Sequence, residues 1–257
     1  MTTLITGASA GLGEGFARAL AAQGEDLILT ARRVDRLEAL RAELDAKHGI
    51  DIALFPTDLA DPASVPRLID DIAAAGLTID TLINNAGYGL RGAVAELDEA
   101  AQLGIIDVNC RALVALSRAV LPGMIARRGG GILNIASTAA FQPGPWMAVY
   151  YASKAFVLSF SEALHEEARE HGVRVAALCP GPTLTEFADR AGMTDMPLFT
   201  RLASDPEAVV RDGLAALKGN TAVKVSGAMN AVMAESIRLA PRALARRIAG
   251  SLQKSRT

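Results

Sequence analysis

The stretch Thr2-Thr3-Leu4-Ile5-Thr6-Gly7-Ala8-Ser9-Ala10-Gly11-Leu12-Gly13 decides the fold. Its first half is a short apolar run that predicts a strand, and a helical pattern begins at Gly11. Gly7 permits a tight turn, Gly11 lets backbone approach a pyrophosphate, and Gly13 allows close helix packing. A glycine-rich turn without a ligand is the alternative, but a strand-to-helix junction favours dinucleotide binding. The predicted cofactor contacts in this turn are Gly7, Ser9, Gly11, Leu12 and Gly13.

The rest of the chain continues to alternate short apolar runs with longer helical patterns. Such alternation implies βαβ units with right-handed crossovers and a mostly parallel, doubly wound α/β sheet with helices on both faces. Ligands of such sheets bind at the carboxyl ends of the strands. The predicted strands are 2–6, 26–31, 50–55, 80–83, 131–136 and 173–179. The predicted helices are 11–23, 34–48, 62–75, a set across 97–127, and 150–171.

Length and composition limit the possible classes of protein. A chain of 257 residues with 51% hydrophobic residues can bury one large core, so we expect a single domain over residues 1–257. The net charge of -2 gives no overall positive electrostatic field that would attract nucleic acid. Cys110 and Cys179 lie far apart in apolar surroundings, which predicts buried free thiols and a reducing, cytoplasmic compartment. Met1 leads almost directly into a strand, so no signal peptide is expected.

The end of the second predicted strand bears on the choice of cofactor. An acidic residue there binds the adenosine 2′-hydroxyl, whereas arginine accommodates a 2′-phosphate. Here the run is Leu29-Thr30-Ala31-Arg32-Arg33, with Ala31 where an acid would stand. We therefore predict that Arg32 and Arg33 select NADP(H) over NAD(H). The alternative is that both arginines are solvated residues before a helix.

Two further strand ends carry candidate cofactor contacts. Asp58-Leu59 follows the third strand, where a carboxylate could accept the adenine amino group or could instead cap the helix before Pro62. Asn84-Asn85-Ala86-Gly87 follows the fourth strand. A side-chain amide and small residues there could hold the strand end open beside the cofactor. The alternative is a turn with a purely structural role, since Asn and Gly are common in turns. The predicted contacts are Asp58, Leu59, Asn85, Ala86 and Gly87.

Tyr150 and Lys154 stand four residues apart at the start of the helix predicted over 150–171. They lie one turn apart on the same face, close enough for the ammonium to act on the phenol. A fixed positive charge favours the phenolate, so we expect the pKa of Tyr150 to be drawn from about 10 toward neutrality. Such a phenol can exchange a proton with a substrate oxygen. The spacing is weak evidence alone, because it also arises by chance.

Taken together, these motifs resemble the short-chain dehydrogenase/reductase family, which has a Rossmann-like fold. The resemblance covers roughly residues 1–190, and the motifs occur in the family's order and approximate spacing. Each motif is common, but the set is specific. The matching positions are Thr6-Gly7-x-x-x-Gly11-x-Gly13, Asn84-Asn85-Ala86-Gly87, Asn109, Ser137, Tyr150-x-x-x-Lys154 and Pro180-Gly181.

The resemblance implies a role for each catalytic position. Tyr150 would donate and accept the proton, and Lys154 would lower the pKa of Tyr150 and hold the nicotinamide ribose. Ser137 would hydrogen-bond the substrate carbonyl, and Asn109 would keep a water in the proton path. Structural alternatives are a turn-capping hydroxyl for Ser137 and an amide in a helix bend for Asn109. Tyr151 is the second choice for the proton donor.

The segment after the sixth predicted strand resembles the part of the family that lines the nicotinamide. Pro180 and Gly181 would shape this loop, Thr183 would meet the carboxamide through its backbone, and Thr185 would meet a phosphate. Residues 186–204 would then close over the substrate as a lid. The lid is mainly apolar, and Tyr88, Phe141, Trp146 and Met147 would flank the same cleft. An apolar cleft predicts a small hydrophobic carbonyl compound or alcohol as substrate, unless these side chains pack inward.

The C-terminal part departs from the family. A short final strand over 222–226 precedes a long basic helical pattern over about 229–253, which Pro241 should kink or split. This extension could pack on its own domain, on a second subunit of a dimer or tetramer, or on an anionic membrane. We rank packing above membrane contact.

A different class of function is a non-catalytic dinucleotide-binding regulator. Such a protein would be expected to lose the tyrosine or the lysine, and both are present. No histidine spacing suggests a metal site. The favoured hypothesis is thus an NADP(H)-dependent oxidoreductase that interconverts a carbonyl and an alcohol.

Overall fold

A computed structural model describes residues 1–183, 186, 204–239 and 241–253. In this part of the chain, strands and helices alternate as the sequence predicts, except that the helix over Pro206–Lys218 was not predicted. The strands are β1 (Thr2–Thr6), β2 (Asp26–Thr30), β3 (Ile52–Leu54), β4 (Thr81–Asn84), β5 (Gly131–Ile135), β6 (Arg174–Cys179) and β7 (Val223–Val225). The helices are α1 (Gly11–Ala21), α2 (Val34–His48), α3 (Ser64–Ala74), α4 (Glu99–Ile106), α5 (Leu113–Ala126), α6 (Ala148–Arg169), α7 (Pro206–Lys218), α8 (Ala228–Leu239) and α9 (Arg242–Gln253).

The seven described strands form one parallel sheet in the order β3-β2-β1-β4-β5-β6-β7. The chain runs outward from β1 to β3, returns to the other side of β1 as β4, and runs outward again to β7. The order therefore reverses between β1 and β4, and the ends of these two strands flank the crevice where doubly wound sheets bind ligands. The predicted Rossmann-like fold class is confirmed.

Side chains alternate along each strand, so each strand contributes side chains to both faces of the sheet. Helices cover both faces, and both are therefore buried. Ile5, Leu29 and Ile83 face a core that includes side chains of α1, α2 and α7. Leu4 and Leu82 face the opposite core, which is completed by α3, α5 and α6. A sheet covered on both faces requires near-continuous apolar strands, which is the pattern present in the sequence.

The helical segment predicted across 97–127 is not uniform. It divides into α4, a π-helical turn over Asp107–Ala112, and α5. A π-helical turn inserts an extra residue into the hydrogen-bond ladder and changes the direction of neighbouring side chains. Asn109 lies within this turn.

The C-terminal extension folds onto its own chain. Pro241 stands between α8 and α9 and splits the predicted helix, as expected. Ala245 and Ala249 on α9 are buried. A Cβ placed on Gly250 would meet the Pro145 ring at 3.3 Å, so α9 lies close to the loop before α6. Among the described residues of α8 and α9, the exposed large apolar side chains are those of Met229, Val232, Met233, Leu244 and Ile248.

A search of the described helices found none with the length and apolar character needed to span a bilayer.

A buried polar network links the two central strands. The Asn84 amide on β4 donates to Asn134 Oδ1 on β5 at 2.9 Å and to Ser117 Oγ on α5 at 3.1 Å. The Asn134 amide donates in turn to Ser161 Oγ on α6 at 2.9 Å. All four residues are buried, so each hydrogen bond replaces a lost contact with water.

Replacing Asn134 by alanine is expected to lower the free energy of unfolding by roughly 2–4 kcal/mol. The change leaves the Ser161 hydroxyl without its donor and removes an acceptor of the Asn84 amide, and it creates a small cavity. Urea denaturation followed by circular dichroism measures this loss.

Gln23→Ala serves as the matched control, because Gln23 is an exposed amide that bonds only the Ala19 carbonyl. Its expected cost is below about 0.5 kcal/mol. Equal stability of the Asn134→Ala protein and the control would contradict the role assigned to the network.

Candidate active site

The carboxyl ends of the strands open into a single cavity of about 380 Å³. One end lies at the turn between β1 and α1, and the other lies between α6 and the C-terminal helices. Gly13 and Asn109 are near this cavity but do not line it, and Thr185 lies outside the described residues. The predicted residues that do line it are Gly7, Ser9, Gly11, Leu12, Arg32, Arg33, Asp58, Leu59, Asn85, Ala86, Gly87, Ser137, Tyr150, Lys154, Pro180, Gly181 and Thr183.

The glycine-rich turn has the geometry of an open phosphate cradle. Gly7 and Gly11 adopt φ values of 67° and 57°, a left-handed conformation that glycine adopts at little cost. A Cβ on Gly13 would lie 2.3 Å from the Gly7 carbonyl oxygen and 2.5 Å from the Asn85 amide nitrogen, so no side chain fits there. The absence of side chains keeps the N-terminus of α1 accessible. These residues fit a dinucleotide pyrophosphate.

Asn85 holds the turn in place from the neighbouring strand end. Its side-chain amide donates to the Thr6 carbonyl at 2.9 Å and to the Gly7 carbonyl at 3.3 Å. The Thr6 hydroxyl accepts from the Asn85 and Ala86 backbone amides at 3.0 and 2.9 Å. The end of β4 is thereby tied to the end of β1, and the cavity lies over this junction.

Arg33 and Arg32 both line the cavity beyond the end of β2. Arg33 donates to the Ser9 hydroxyl at 3.3 Å and to the Ser9 carbonyl at 3.1 Å, so it stands directly beside the glycine-rich turn. Arg33 also pairs with the Glu186 carboxylate at 2.9 Å, and Arg36 pairs with the same carboxylate at 3.3 Å. The sequence analysis did not anticipate Glu186 as a partner, because 153 residues separate it from Arg33.

Asp58 lines the cavity while its carboxylate accepts from the Ala60 backbone amide at 3.0 Å. The turn before α3 is stabilised by a different residue, since Asp61 accepts from the Ala63 amide at 2.9 Å. The alternative in which Asp58 caps this helix is therefore wrong. Asp58 instead stabilises a local turn at the cavity wall.

Ser137, Tyr150 and Lys154 meet at the centre of the cavity wall. Ser137 follows β5, and the other two lie in the first turns of α6. The Ser137 side chain hydrogen-bonds the Tyr150 phenol. The Lys154 ammonium donates to the Ile135 carbonyl at 2.7 Å and lies 5.9 Å from the centroid of the Tyr150 ring. The helical spacing thus brings the two α6 side chains together as predicted.

Burial governs the protonation of both α6 side chains. It raises the pKa of the Tyr150 phenol well above its ordinary value, because desolvation outweighs the lowering effect of the Ser137 hydrogen bond. The expectation that Lys154 draws the Tyr150 pKa toward neutrality is therefore wrong for the protein's own groups. Burial also lowers the pKa of Lys154 to about 8. In the high pH range where this phenol would ionise, Lys154 has already lost its proton and carries no positive charge to favour the phenolate.

Asn109 supports the wall of the cavity from the π-helical turn. Its amide donates to the Tyr88 carbonyl at 3.0 Å and to the Ser153 hydroxyl at 3.0 Å, and its oxygen accepts from the Tyr88 backbone amide at 3.1 Å. These bonds hold the loop after β4 against α6. A Cβ on Gly87 would lie 3.0 Å from Asn109 Oδ1 and 3.4 Å from Lys154 Nζ, so the two side chains lie near each other.

The second tyrosine of the motif has a different environment. The Tyr151 ring stands edge-on to the Tyr150 ring at a centroid distance of 6.0 Å, and its hydroxyl accepts a hydrogen bond from the Gln253 amide. Both Tyr151 and Gln253 line the cavity. The sequence analysis missed Gln253, because nothing in its local sequence indicates that α9 returns to the site.

The predicted cleft residues divide into two groups. Tyr88 and Met147 line the cavity, whereas Phe141 packs against the core beside α6 and Trp146 is partly exposed with a φ of 69°. The prediction is therefore wrong for Phe141 and Trp146. Residues 187–203, most of the predicted lid, lie outside the described residues.

Neither cysteine is part of a disulfide, and both thiols are buried, as expected. Among the described residues, no group of three or more histidine, cysteine or acidic side chains could hold a metal ion.

Comparisons with known proteins agree with this architecture. A family model described as short chain dehydrogenase matches residues 1–195. A very-long-chain 3-oxoacyl-CoA reductase of Phaeosphaeria nodorum is 39% identical over 67% of this chain, which spans only 52% of that protein's length. The NADP-dependent 3-hydroxy acid dehydrogenase YdfG of Escherichia coli is 38% identical over 70% of this chain and 72% of its own.

A solved structure extends the similarity to nearly the whole chain. The short-chain dehydrogenase from Sphingobium yanoikuyae in complex with NADPH superimposes with a TM-score of 0.84 at 32% sequence identity. The match covers 95% of this chain and 94% of that one. The family model, these relatives and the strand order lead to one conclusion: the chain belongs to the short-chain dehydrogenase/reductase family.

Proposed function

We propose that this protein is an NADP(H)-dependent oxidoreductase that interconverts a carbonyl and an alcohol on a small, mainly apolar substrate, with Tyr150 as general acid and base. The observation that carries the proposal is that one cavity joins the glycine-rich turn to Ser137, Tyr150 and Lys154. A bound dinucleotide and a substrate would therefore share one space.

The side chains of the site suit the reduction of a carbonyl. A bound nicotinamide supplies the hydride. The substrate oxygen then gains negative charge, which the Ser137 hydroxyl stabilises by donating a hydrogen bond. Tyr150 gives its proton to the same oxygen, and its raised pKa keeps the phenol protonated at neutral pH before the reaction. In the reverse direction the phenolate takes the proton from the alcohol.

Lys154 and Asn109 act around this proton transfer. Lys154 is buried beside the phenol and holds the nicotinamide ribose in the proposed complex. Asn109 holds a water in the proton path, and its bonds to Tyr88 fix its place near Lys154. In the same proposal, the Thr183 backbone meets the carboxamide and Thr185 meets a phosphate.

The preference for NADP(H) rests on Arg33. Its guanidinium stands beside Ser9 at the edge of the phosphate cradle, where it can bind a 2′-phosphate. Arg32 lines the cavity as a second cation. The similar chain from Sphingobium yanoikuyae binds NADPH, and YdfG is NADP-dependent, which supports the same preference here. NAD(H) is the less favoured cofactor.

The apolar character of the site favours a hydrophobic substrate. Met147, Met233 and Ala249 line the end of the cavity beyond Tyr150. Residues 186–204 act as the lid over this end in our proposal. A homo-oligomer and a cytoplasmic location complete the proposal, the latter supported by the buried free thiols.

The alternative of a non-catalytic regulator finds little support. Ser137, Tyr150 and Lys154 are all present and line one cavity, whereas a sensor needs only the cofactor site. The relatives named above are a reductase and a dehydrogenase.

Replacing Tyr150 by phenylalanine is expected to lower kcat for ketone reduction by about 10²- to 10⁴-fold, because the proton donor is lost. The binding of NADPH should change by no more than a few-fold, since the ring and its packing are kept. Loss of absorbance by NADPH measures turnover, and fluorescence titration measures binding. Turnover by the Phe variant at the wild-type rate would exclude Tyr150 as the proton donor.

Replacing Arg33 by alanine is expected to weaken NADPH binding by about 10- to 100-fold and to leave NADH binding nearly unchanged, because only NADPH carries the 2′-phosphate. Arg41→Ala is the matched control, since Arg41 is exposed on α2, the helix that follows Arg33, and does not line the cavity.

The opposite change is expected for Glu186→Gln. The Glu186 carboxylate pairs with Arg33 and repels a 2′-phosphate, so its removal should tighten NADPH binding several-fold, most clearly at low salt.

For the Arg33→Ala variant, equal losses of NADPH and NADH binding would contradict the proposed role of Arg33 in binding the 2′-phosphate.

Replacing Lys154 by methionine is expected to change how stability depends on pH. Burial lowers the pKa of Lys154 from 10.5 to about 8, so between these values the unfolded chain binds the proton and the folded chain does not. Stability of the wild type therefore rises with pH across this window, by on the order of 3 kcal/mol relative to the variant. Urea denaturation without cofactor at pH 7 and pH 10.5 measures the difference.

Lys218→Met is the control for this experiment, because the Lys218 side chain is exposed at the end of α7. Its stability difference from the wild type should be the same at both pH values. If the free energy of unfolding of the Lys154→Met protein changes between pH 7 and pH 10.5 by the same amount as that of the wild type, burial does not lower the pKa of Lys154.

A further inference from the structure

The part of the cavity beyond Tyr150 is built largely by the C-terminal helices. Met233, Ala234 and Ile237 on α8 and Ala249 on α9 line it together with Met147. Most of this wall is apolar. The polar residues that the described parts of α8 and α9 add to it are Asn230, whose amide donates to the Ser226 carbonyl at 2.8 Å, and Gln253, the last described residue of α9.

Gln253 is a buried amide that is only half satisfied. The residue is 5% exposed. Its amide nitrogen donates to the Tyr151 hydroxyl, while its Oε1 atom has no hydrogen-bond partner among the described residues. A buried polar atom without a partner costs roughly 1–3 kcal/mol, so such an atom on a cavity wall points to a ligand that binds it.

Hydrogen bonds to its backbone carbonyl fix the position of Gln253. The Gln253 carbonyl accepts two hydrogen bonds from the Arg91 guanidinium, at 3.0 and 2.9 Å. Gly250 lets α9 approach Pro145, one turn earlier. Arg91 thus holds the backbone of Gln253, and the preceding turn of α9 lies against Pro145.

Tyr151 supplies the complementary group. Its phenol is buried and its pKa is raised to about 12 by desolvation, so it keeps its proton at neutral pH. The Tyr151 oxygen accepts from Gln253, which leaves its O–H free to donate into the cavity. A donor from Tyr151 and an acceptor from Gln253 therefore lie side by side.

We propose that Gln253 and Tyr151 form a recognition site for a hydroxyl group on the substrate, at a distance from the reacting carbonyl. A hydroxyl both accepts from the phenol and donates to the amide oxygen, whereas a carboxylate or an ether only accepts. Tyr150 and Tyr151 are consecutive residues of α6 and line the same cavity as Gln253, so one small hydroxy-ketone can contact the proposed proton donor and the recognition site together. This inference rests on the proposed function and adds a substrate class, the hydroxy-ketones and the corresponding diols.

The test compares three ketones of the same ring size with NADPH: cyclohexanone, 4-hydroxycyclohexanone and 4-methoxycyclohexanone. The wild type is expected to prefer the hydroxy-ketone by about tenfold or more in kcat/KM, mainly through KM. The methoxy-ketone should gain nothing, since its ether oxygen has no proton for Oε1. In Gln253→Leu and in Tyr151→Phe the ratio of kcat/KM for the hydroxy-ketone to kcat/KM for cyclohexanone should fall to about one.

Ser251→Ala is the matched control on the same helix, because Ser251 is exposed and bonds only the Ile248 carbonyl. It should keep the preference. If Gln253→Leu disturbs α9, cyclohexanone reduction falls as well, and Tyr151→Phe then tests the site without altering the helix.

The outcomes separate this inference from the proposed function. Reduction of the ketones by the wild type without preference for the hydroxyl overturns the inference alone and means that Oε1 binds only water. A preference that survives both substitutions also overturns it. Failure of the wild type to reduce any member of a broad ketone panel, although it binds NADPH, overturns the proposed function and this inference with it.

Discussion

The contact between the β1–α1 turn and the end of β4 is the constraint on which the rest of the site depends. Thr6 accepts from two backbone amides after β4, and Asn85 donates back to the carbonyls of the turn. Gly13 leaves no room for a side chain at this contact. Because the strand order reverses between β1 and β4, the contact lies under the crevice of the sheet. The glycine-rich turn and the side chains of Ser137, Tyr150 and Lys154 therefore open into one cavity.

Burial is the second physical factor that governs the site. It acts on Tyr150 and Lys154 in opposite directions, raising the pKa of the phenol and lowering that of the ammonium. Both shifts favour the neutral form of the side chain, as desolvation requires. The phenol thus holds its proton firmly, and the amine is close to losing its own near pH 8.

The two ends of the cavity have different structural origins. The cofactor end is built from the strand ends of the part that matches the family model, residues 1–195. The far end is built mainly from α8 and α9, which lie after that match. The far end of the cavity can therefore change through the C-terminal helices without a change in the glycine-rich turn or in Ser137, Tyr150 and Lys154.

The sequence alone determined the alternation of strands and helices, the phosphate turn and the proximity of Tyr150 to Lys154. These features depend on local periodicity and spacing, which are readable along the chain. Only the tertiary structure decided the π-helical turn at Asn109, the pairing of Arg33 with Glu186 and the meeting of Tyr151 with Gln253. The last two contacts join residues 153 and 102 positions apart, and local sequence carries no record of such distances. The direction of the Tyr150 pKa shift was likewise decided by burial, which depends on the packed molecule and not on the interval between two residues.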